Sequence, residues 1–153
     1  MGDTPWLDDR EADAWRGFLR MQMHLEASLA RQLATDSGLS HQDYGVLVAL
    51  SEHPDGRIRL FELAETLGWE KSRASHHVSR MAARGLVDKE PCDEDRRGAF
   101  VVLTPQGRAT IEEAAPGHVR TVRELFIDRL TPAQLDELRA MSATVLAGLG
   151  VGP

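Results

Sequence analysis

Apolar residues near the start of the chain recur with the period of an α-helix. Intervals of three, four and seven residues relate six of them: Trp15, Phe18, Leu19, Leu25, Leu29 and Leu33. Such intervals place the side chains on one side of a helix, so the pattern predicts a helix over residues 8–35. Asp8 or Asp9 can cap its start, and Gly38 can end it because glycine readily adopts the left-handed conformation.

A capping box predicts where the second helix begins. Ser40 is followed three residues later by Asp43, the spacing at which the two residues exchange hydrogen bonds between side chain and backbone. Apolar residues then follow at helical spacing: Tyr44, Leu47, Val48 and Leu50. The turn-forming residues 54–56 (Pro-Asp-Gly) end this helix, and a short extended piece is predicted at residues 57–59.

The middle of the chain combines two short helices with a pair of strands. One helix is predicted over residues 60–67 and another over residues 70–84, with Gly68 in the turn between them. Two short helices joined by a glycine turn are typical of a helix-turn-helix. The segments Leu86–Glu90 and Ala99–Leu103 predict a β-hairpin around a polar loop. A helix-turn-helix followed by a hairpin is a winged helix-turn-helix.

The last third of the chain is predicted to be helical again. Thr104-Pro105 and Thr131-Pro132 each place a capping threonine before a proline at the first helical position. Gln134 completes a second capping box. The Pro116-Gly117 pair is expected to kink or break the helix that contains it.

The predicted fold class is mainly α with a small β-wing, in one domain spanning residues 1–153. Residues 40–103 form its winged helix-turn-helix, and residues 8–35 and 105–149 form the flanking helices. The apolar stripe of the first helix is longer than a small domain can cover, which indicates a partner helix. The simplest partner is a second copy of the chain. We therefore expect the N- and C-terminal helices to form a dimerisation layer.

The charged residues are distributed unevenly along the chain. The net charge is −6, which by itself argues against a nucleic-acid-binding protein. Residues 57–97, however, hold nine basic and eight acidic residues, whereas the rest of the chain holds nine basic and sixteen acidic ones. Within that segment, residues 71–84 carry four Lys or Arg and no acid. One short segment is therefore suited to an anionic partner that the remainder repels.

Composition excludes several classes of protein. The 153 residues are 42% hydrophobic and 27% charged, as in ordinary globular domains. The apolar runs are far shorter than a membrane span, and the acidic N-terminus lacks the features of a signal peptide. The single cysteine, Cys92, cannot form an intramolecular disulfide. We therefore expect a cytoplasmic protein with no membrane partner.

Five segments occur in an informative order: Leu63–Gly68 (LAETLG), Ser72–Met81 (SRASHHVSRM), Arg84–Val87 (RGLV), Asp95–Gly98 (DRRG) and Val101–Gly107 (VVLTPQG). Together they resemble the helix-turn-helix and wing of the MarR (multiple antibiotic resistance regulator) family of bacterial transcription factors, and the resemblance extends over roughly residues 10–149. The chain departs from the family at Trp69-Glu70, where relatives often have a small apolar residue and a capping serine or aspartate. The resemblance implies a homodimeric, ligand-responsive repressor that binds double-stranded, palindromic operator DNA.

The exposed side of the predicted recognition helix carries the residues expected to contact DNA. Opposite the apolar Ala74, Val78 and Met81 lie Ser72, Arg73, Ser75, His76 and Arg80. Arginine can bond guanine with two hydrogen bonds, and serine can reach a base or a phosphate. Lys71 and Arg80 are expected to contact phosphates, and His77 is expected to be packed. A merely solvated face is the alternative, and the absence of acids from this side argues against it.

The wing signature implies a second contact with DNA. Arg97 is expected to enter the narrow minor groove, where the potential is most negative, while Asp95 holds its guanidinium group. Arg96 is expected to contact phosphate. A solvated hairpin tip is the alternative for all three residues.

The resemblance also implies a small lipophilic anion as effector, bound between the dimerisation layer and the winged module. Four polar residues in the helices concerned are candidates: Arg20, His24, Tyr44 and His118. Arginine or histidine can pair with a carboxylate, and tyrosine can line an aromatic ring. Each residue can instead belong to the surface or to the core.

Other functions have less support in the sequence. An enzyme needs a catalytic constellation, and the chain has no nucleophile elbow, phosphate-binding loop or HExxH motif. The histidines are scattered, so no metal or other cofactor is expected. A redox- or metal-responsive regulator of the same fold, the former through Cys92, stays open. So does a non-specific architectural DNA-binding protein, although the acidic excess outside residues 57–97 disfavours it.

Overall fold

The computed structural model describes residues 5–92 and 98–151 of the chain. In these ranges the elements follow in this order: α1 (Asp9–Ser37), α2 (His41–Glu52), β1 (Arg57–Arg59), α3 (Leu60–Thr66), α4 (Lys71–Ala83), β2 (Val87–Pro91), β3 (Ala99–Leu103), α5 (Pro105–Leu125), a short 3₁₀ turn (Ile127–Arg129) and α6 (Pro132–Gly148). Helices dominate, and the strands form one small antiparallel sheet. The predicted mainly α fold with a small β-wing is confirmed.

The chain divides into two compact units. The sheet unit comprises residues 26–118 and contains α2, α3, α4 and the strands β1 to β3. The terminal unit comprises the chain up to residue 25 and from residue 119 onward, and it contains α6. Helices α1 and α5 each contribute residues to both units.

The sheet unit has its own hydrophobic core, to which helices and strands both contribute. Its largest fully buried side chains are Leu33, Leu39, Leu47, Leu50, Leu63, Met81, Val46, Val78, Val87 and Val101. Burying one such side chain stabilises a fold by about 1.5–3 kcal/mol. The helix-turn-helix and the wing are therefore held together by shared packing.

Hydrogen bonds at helix ends confirm both predicted capping boxes. The Ser40 hydroxyl accepts from the Asp43 amide at 3.0 Å, and Oδ2 of Asp43 accepts from the Ser40 amide at 3.0 Å. Thr131 and Gln134 make the same exchange at the start of α6. Gly38, with a φ of +67°, follows the last residue of α1, where the sequence predicts the helix to end.

Helices α3 and α4 form the predicted helix-turn-helix, and β2 and β3 form the predicted hairpin. Helix α4 begins at Lys71 although the Glu70 side chain makes no capping hydrogen bond. Strand β2 runs one residue later than predicted, and β3 has the predicted bounds. The extended piece at residues 57–59 is strand β1, which pairs with β3 and gives the sheet order β1-β3-β2.

A tight joint connects the recognition helix, the wing and α5. The Thr104 hydroxyl donates toward the carbonyls of Gly85 (2.7 Å) and Leu86 (3.0 Å) and accepts from the Gly107 amide at 2.9 Å. A Cβ atom at Gly107 would lie 2.0 Å from the carbonyl oxygen of Leu86. The joint therefore requires glycine at this position.

Helix α5 continues through Pro116, so of the two outcomes expected at Pro116-Gly117 the break does not occur, and the kink stays a prediction. Proline removes the backbone donor for the carbonyl of Glu112. Both Pro116 and Glu112 are exposed, so water can bond that carbonyl instead. On the other side, His118 is buried and its Nδ1 bonds Oε1 of Gln32 in α1 at 3.0 Å, which stabilises the helix beyond the proline.

The terminal unit exposes much of its apolar surface. Trp15 and Phe18 stack on each other with ring centroids 5.9 Å apart, yet their side chains are 53% and 48% exposed. Met141 and Val145 in α6, and Leu149 directly after it, are exposed as well. Within residues 5–92 and 98–151, every helix is too short or too polar to traverse a lipid bilayer.

Candidate nucleic-acid interface

Helix α4 presents a polar face to the exterior of the sheet unit. Ala74, His77, Val78 and Met81 are buried. The opposite face exposes the candidate residues Lys71, Ser72, Arg73, His76 and Arg80, whereas Ser75 is half-buried at its edge. The helix carries no acidic residue, so the exposed face is positively charged.

Aromatic contacts hold the N-terminal part of this face. The Arg73 guanidinium carbon lies 5.0 Å from the centroid of the Trp69 ring, a cation–π arrangement. Trp69 in turn meets the His77 ring edge-on, with centroids 5.2 Å apart. Trp69 thus supports the Arg73 side chain from one side and contacts His77 from the other.

A buried carboxylate from α2 connects to α4 at two points. Asp43 is 3% exposed, and its Oδ2 accepts from Nη1 of Arg84 at 2.7 Å. Its other oxygen, Oδ1, lies 2.9 Å from Nε2 of His77. Burial raises the pKa of Asp43, but the hydrogen bonds from Arg84 and Ser40 and the charge of Arg84 outweigh burial and leave this pKa below its ordinary value.

His77 is packed, as expected, and it also holds an arginine. Its Nδ1 lies 2.9 Å from Nη2 of Arg80, and the residue, on the core side of α4, is 9% exposed. Burial lowers the pKa of His77, the Asp43 carboxylate raises it, and Arg80 and Arg84 lower it again. The resulting pKa lies below the ordinary value, so the ring is neutral at pH 7.

These side chains surround an open cavity of about 380 Å³ between α2 and α4. It is lined by Ser40, Gln42, Asp43, Arg73, His77, Arg80 and Arg84. Three arginines and one carboxylate give the cavity a net positive charge while His77 is neutral.

The structure describes the two strands of the wing, but not residues 93–97 between them. The Cys92 amide donates to the carbonyl of Gly98 at 3.2 Å, next to the Pro91–Ala99 pair at the loop end of the hairpin, and Cys92 is buried. Asp95, Arg96 and Arg97 lie outside the described residues. Their expected contacts with DNA therefore stay predictions.

Two further arginines lie on the sheet, where the sequence pattern does not single them out. Arg57 and Arg59 of β1 place their guanidinium carbons 4.0 and 5.2 Å from the centroid of the Phe100 ring on β3. Arg57 also lies 3.4 Å from the carboxylate of Glu90 on β2. The pairing of β1 with β3 brings them together, and no local spacing indicates that pairing.

The structure brings together two of the four candidate effector residues. The rings of Tyr44 and His118 are both buried, with centroids 4.2 Å apart. Burial and the nearby His41 lower the pKa of His118, whereas burial and Glu52 raise that of Tyr44. Arg20 and His24 belong to the terminal unit.

Asp43 and Arg84 are the residues of this surface that the sequence pattern indicates least well. The spacing identifies Asp43 as a capping residue, and Arg84 stands in the RGLV segment, but the two are 41 positions apart in sequence. In the described part of the chain, no three His, Cys, Asp or Glu side chains are grouped as a metal site would require.

Comparison with known proteins agrees with this geometry. The family model described as "MarR family" matches residues 37–98. The transcriptional repressor MprA of Escherichia coli K12 is 23% identical over 133 residues, which cover 85% of this chain and 75% of MprA.

Two solved structures from Streptomyces coelicolor are more similar in sequence to this chain than MprA is. AbsC, a MarR family transcriptional regulator, is 42% identical with a TM-score of 0.90, over 95% of this chain and 98% of AbsC. Sco3205, a MarR family transcriptional regulator solved in complex with DNA, is 40% identical with a TM-score of 0.92, over 97% of this chain and 93% of the other. The chain therefore belongs to the MarR family of transcriptional regulators.

Proposed function

We propose that this regulator binds a specific double-stranded operator as a homodimer and represses transcription until an effector releases it. The exposed, acid-free face of α4 carries the proposal, because its cations are fixed by contacts beneath them. The similar regulator Sco3205, solved with DNA, supports the same use of the fold here.

In this proposal, α4 enters the major groove. Arg73, Ser72, Ser75 and His76 contact base edges, while Lys71 and Arg80 contact phosphates. The wing reaches the minor groove, with Arg97 inserted, Asp95 holding it and Arg96 on a phosphate. The four residues on base edges thus distinguish the bases, whereas the contacts to phosphates and to the minor groove set the affinity and the register.

The exposed apolar side chains of the terminal unit support the homodimer. Exposed patches of this kind mark interaction surfaces. Those of α1, of α6 and of the residue after α6 include Trp15, Phe18, Leu19, Met141, Val145, Leu146 and Leu149. A two-fold dimer matches a palindromic operator whose half-sites are about 10 base pairs apart.

We propose a small lipophilic anion as effector, with Arg20, His24, Tyr44 and His118 as candidate contacts. Arginine and histidine are the side chains here that can pair with a carboxylate. A phenolic-acid panel tests this: a ligand that raises Tm and releases DNA together supports the site, and Arg20→Ala should reduce both effects. Stabilisation without DNA release would argue against it.

We also propose that the protein acts as a regulator and not as an enzyme, in the compartment that holds the chromosome, the cytoplasm. The proposed function requires no cofactor.

Selection of binding sites from a random duplex library tests the proposed function. We expect a palindromic consensus. Arg73→Ala and Ser75→Ala should change the preferred bases, whereas Arg80→Ala should weaken all sequences alike and lower the salt slope by about one unit. Arg97→Ala should weaken specific binding markedly without changing the fold or the dimer.

Two results would contradict these assignments. Equal binding to unrelated duplexes would indicate an architectural DNA-binding protein, which has no preferred bases. If Arg73→Ala, Ser75→Ala and Arg80→Ala only scaled the affinity, the assignment of base contacts would be wrong.

A further inference from the structure

Arg80, a proposed phosphate contact, is held by a hydrogen bond that fixes the tautomer of His77. The guanidinium group of arginine donates hydrogen bonds and cannot accept them. Since Nη2 of Arg80 lies 2.9 Å from Nδ1 of His77, that nitrogen is the acceptor and carries no proton. The ring proton of the neutral histidine is therefore on Nε2, the nitrogen that faces Asp43.

Asp43 is anchored well enough to orient the ring. The capping box ties its Oδ2 to the backbone of Ser40, and Arg84 donates to the same oxygen at 2.7 Å. Oδ1 is left to face Nε2 of His77 at 2.9 Å, a close polar contact whose angle departs from that of a hydrogen bond. A negative oxygen at this distance favours the proton on Nε2 and leaves Nδ1 free to accept.

We infer that Asp43 and His77 are positioning residues that hold Arg80 in its DNA-binding pose, and that this requires a neutral His77. The inference rests on the proposed function, because Arg80 is assigned there to a phosphate. Neither positioning residue needs to touch DNA: Asp43 is buried beneath the surface, and His77 lies on the core side of α4.

Protonation of His77 disrupts this arrangement. A proton on Nδ1 removes the acceptor of Arg80 and places a positive charge beside it. The charged groups that face the ring are Asp43 from α2 and Arg80 and Arg84 from the α4 segment, with Arg73 across the cavity. One carboxylate thus faces three guanidinium groups, so an imidazolium is poorly tolerated and Arg80 is the group free to move away.

The pH range follows from the direction of the pKa shift. Burial and the two arginines keep the pKa of His77 below its ordinary value of 6.5, so the ring is neutral above that pH. The contribution of Arg80 to DNA affinity is therefore complete near pH 7 and above, and it is lost as the pH falls through the lowered pKa of His77. His76 is exposed on the opposite side of the same helix and does not contact this ring.

The first test uses the full chain without DNA, so it does not depend on the proposed function. Long-range ¹H–¹⁵N NMR of the His77 ring should show an unprotonated Nδ1 and a protonated Nε2 near neutral pH. Asp43→Asn should move the titration midpoint of His77 to lower pH, because it removes the carboxylate that stabilises the imidazolium. A neutral ring with its proton on Nδ1, or an unmoved midpoint, would overturn the inference.

The second test measures binding of a mixed-sequence duplex of about 24 base pairs, long enough for two half-sites. In His77→Asn the amide oxygen takes the place of Nδ1 and accepts from Arg80 at every pH, whereas in His77→Gln the amide reaches toward Asp43 instead. We expect the salt slope of His77→Gln to be smaller by about one unit at all pH values. The wild type should match His77→Asn near pH 8 and approach His77→Gln at about pH 5.5.

His76→Asn is the control, since it removes a histidine from the same helix and should retain the loss of salt slope at low pH. Circular dichroism of each variant at both pH values establishes that α4 remains folded. Equal salt slopes for the wild type and both His77 variants would overturn the inference. If none of the proteins bound any duplex at either pH, the proposed function itself would be wrong, and the NMR result would still decide whether His77 holds Arg80.

Discussion

The sheet unit buries its apolar side chains, whereas the terminal unit leaves many of its own exposed. In the sheet unit, residues such as Leu47, Leu63 and Val78 are completely buried by elements of the same chain. In the terminal unit, Trp15 and Val145 remain 53% and 62% exposed. The first unit draws its stability from this chain alone, whereas the second presents surface suited to another molecule. A helical period in the sequence predicts an apolar side, but it does not say which molecule covers that side.

Removal of residues 131–153 should break this comparison most severely. The terminal unit then loses α6, while the sheet unit keeps all of its core. We expect a monomer or an aggregate by light scattering. Binding to a selected operator should weaken by about 10²-fold or more, because a single module loses the second half-site. A truncated chain that stayed dimeric would place the interface elsewhere.

A matched pair of leucine substitutions should separate the two kinds of apolar residue. Leu63→Ala leaves a cavity in the sheet unit and should lower the free energy of unfolding by about 2–5 kcal/mol. Leu149→Ala, at a residue that is 70% exposed, should instead raise the dissociation constant of the dimer. Chemical denaturation and sedimentation over a range of concentrations measure the two effects. If Leu149→Ala destabilised the monomer as strongly as Leu63→Ala, the contrast between the units would fail.

Two glycines of α5 should respond to alanine with opposite signs. A Cβ at Gly107 collides with the backbone of Leu86, so Gly107→Ala should destabilise the sheet unit by about 1–3 kcal/mol and loosen the joint to the wing. A Cβ at Gly117 would lie 3.8 Å from its nearest neighbour, Nε2 of Gln32, which is an ordinary contact. Gly117→Ala should therefore stabilise the helix by up to about 1 kcal/mol. Thermal unfolding tests both, and a stabilised Gly107→Ala would contradict the close approach.

The smallest expected effect is the pH dependence of stability in the sheet unit. The pKa values of His77 and His118 are both lowered by burial in the fold, so the unfolded chain binds protons first as the pH falls below 6.5. The free energy of unfolding should therefore fall over this range, by about 1.4 kcal/mol for each unit of pKa shift. Asp43 contributes fully to the free energy of unfolding over this pH range, because its pKa lies below 3.8 and the carboxylate stays ionised. Urea denaturation of the wild type and His77→Asn checks this, and a flat profile in the wild type would contradict it.

The elements that the sequence predicts correctly are those whose signals are local. The capping boxes at Ser40 and Thr131, the glycine turn and the bounds of β3 each depend on residues a few positions apart. The helix does not break at Pro116, because a contact from α1 supports the helix beyond it, and no local pattern shows that contact. The pairing of Asp43 with Arg84 is hidden for the same reason. The sequence thus predicts which residues face outward on α4 but not how the residues beneath hold them.

Helices α1 and α5 each cross from one unit to the other without an intervening loop, since the boundaries at residues 25/26 and 118/119 lie inside them. A chimaera that grafts the DNA-binding part of one relative onto another must therefore be joined within two helices. A single inserted residue at either junction would rotate everything beyond it by about 100° around the helix axis. Successful grafts must conserve the residue count through both helices, so the modularity of this architecture is constrained by helical phase and not by linker length.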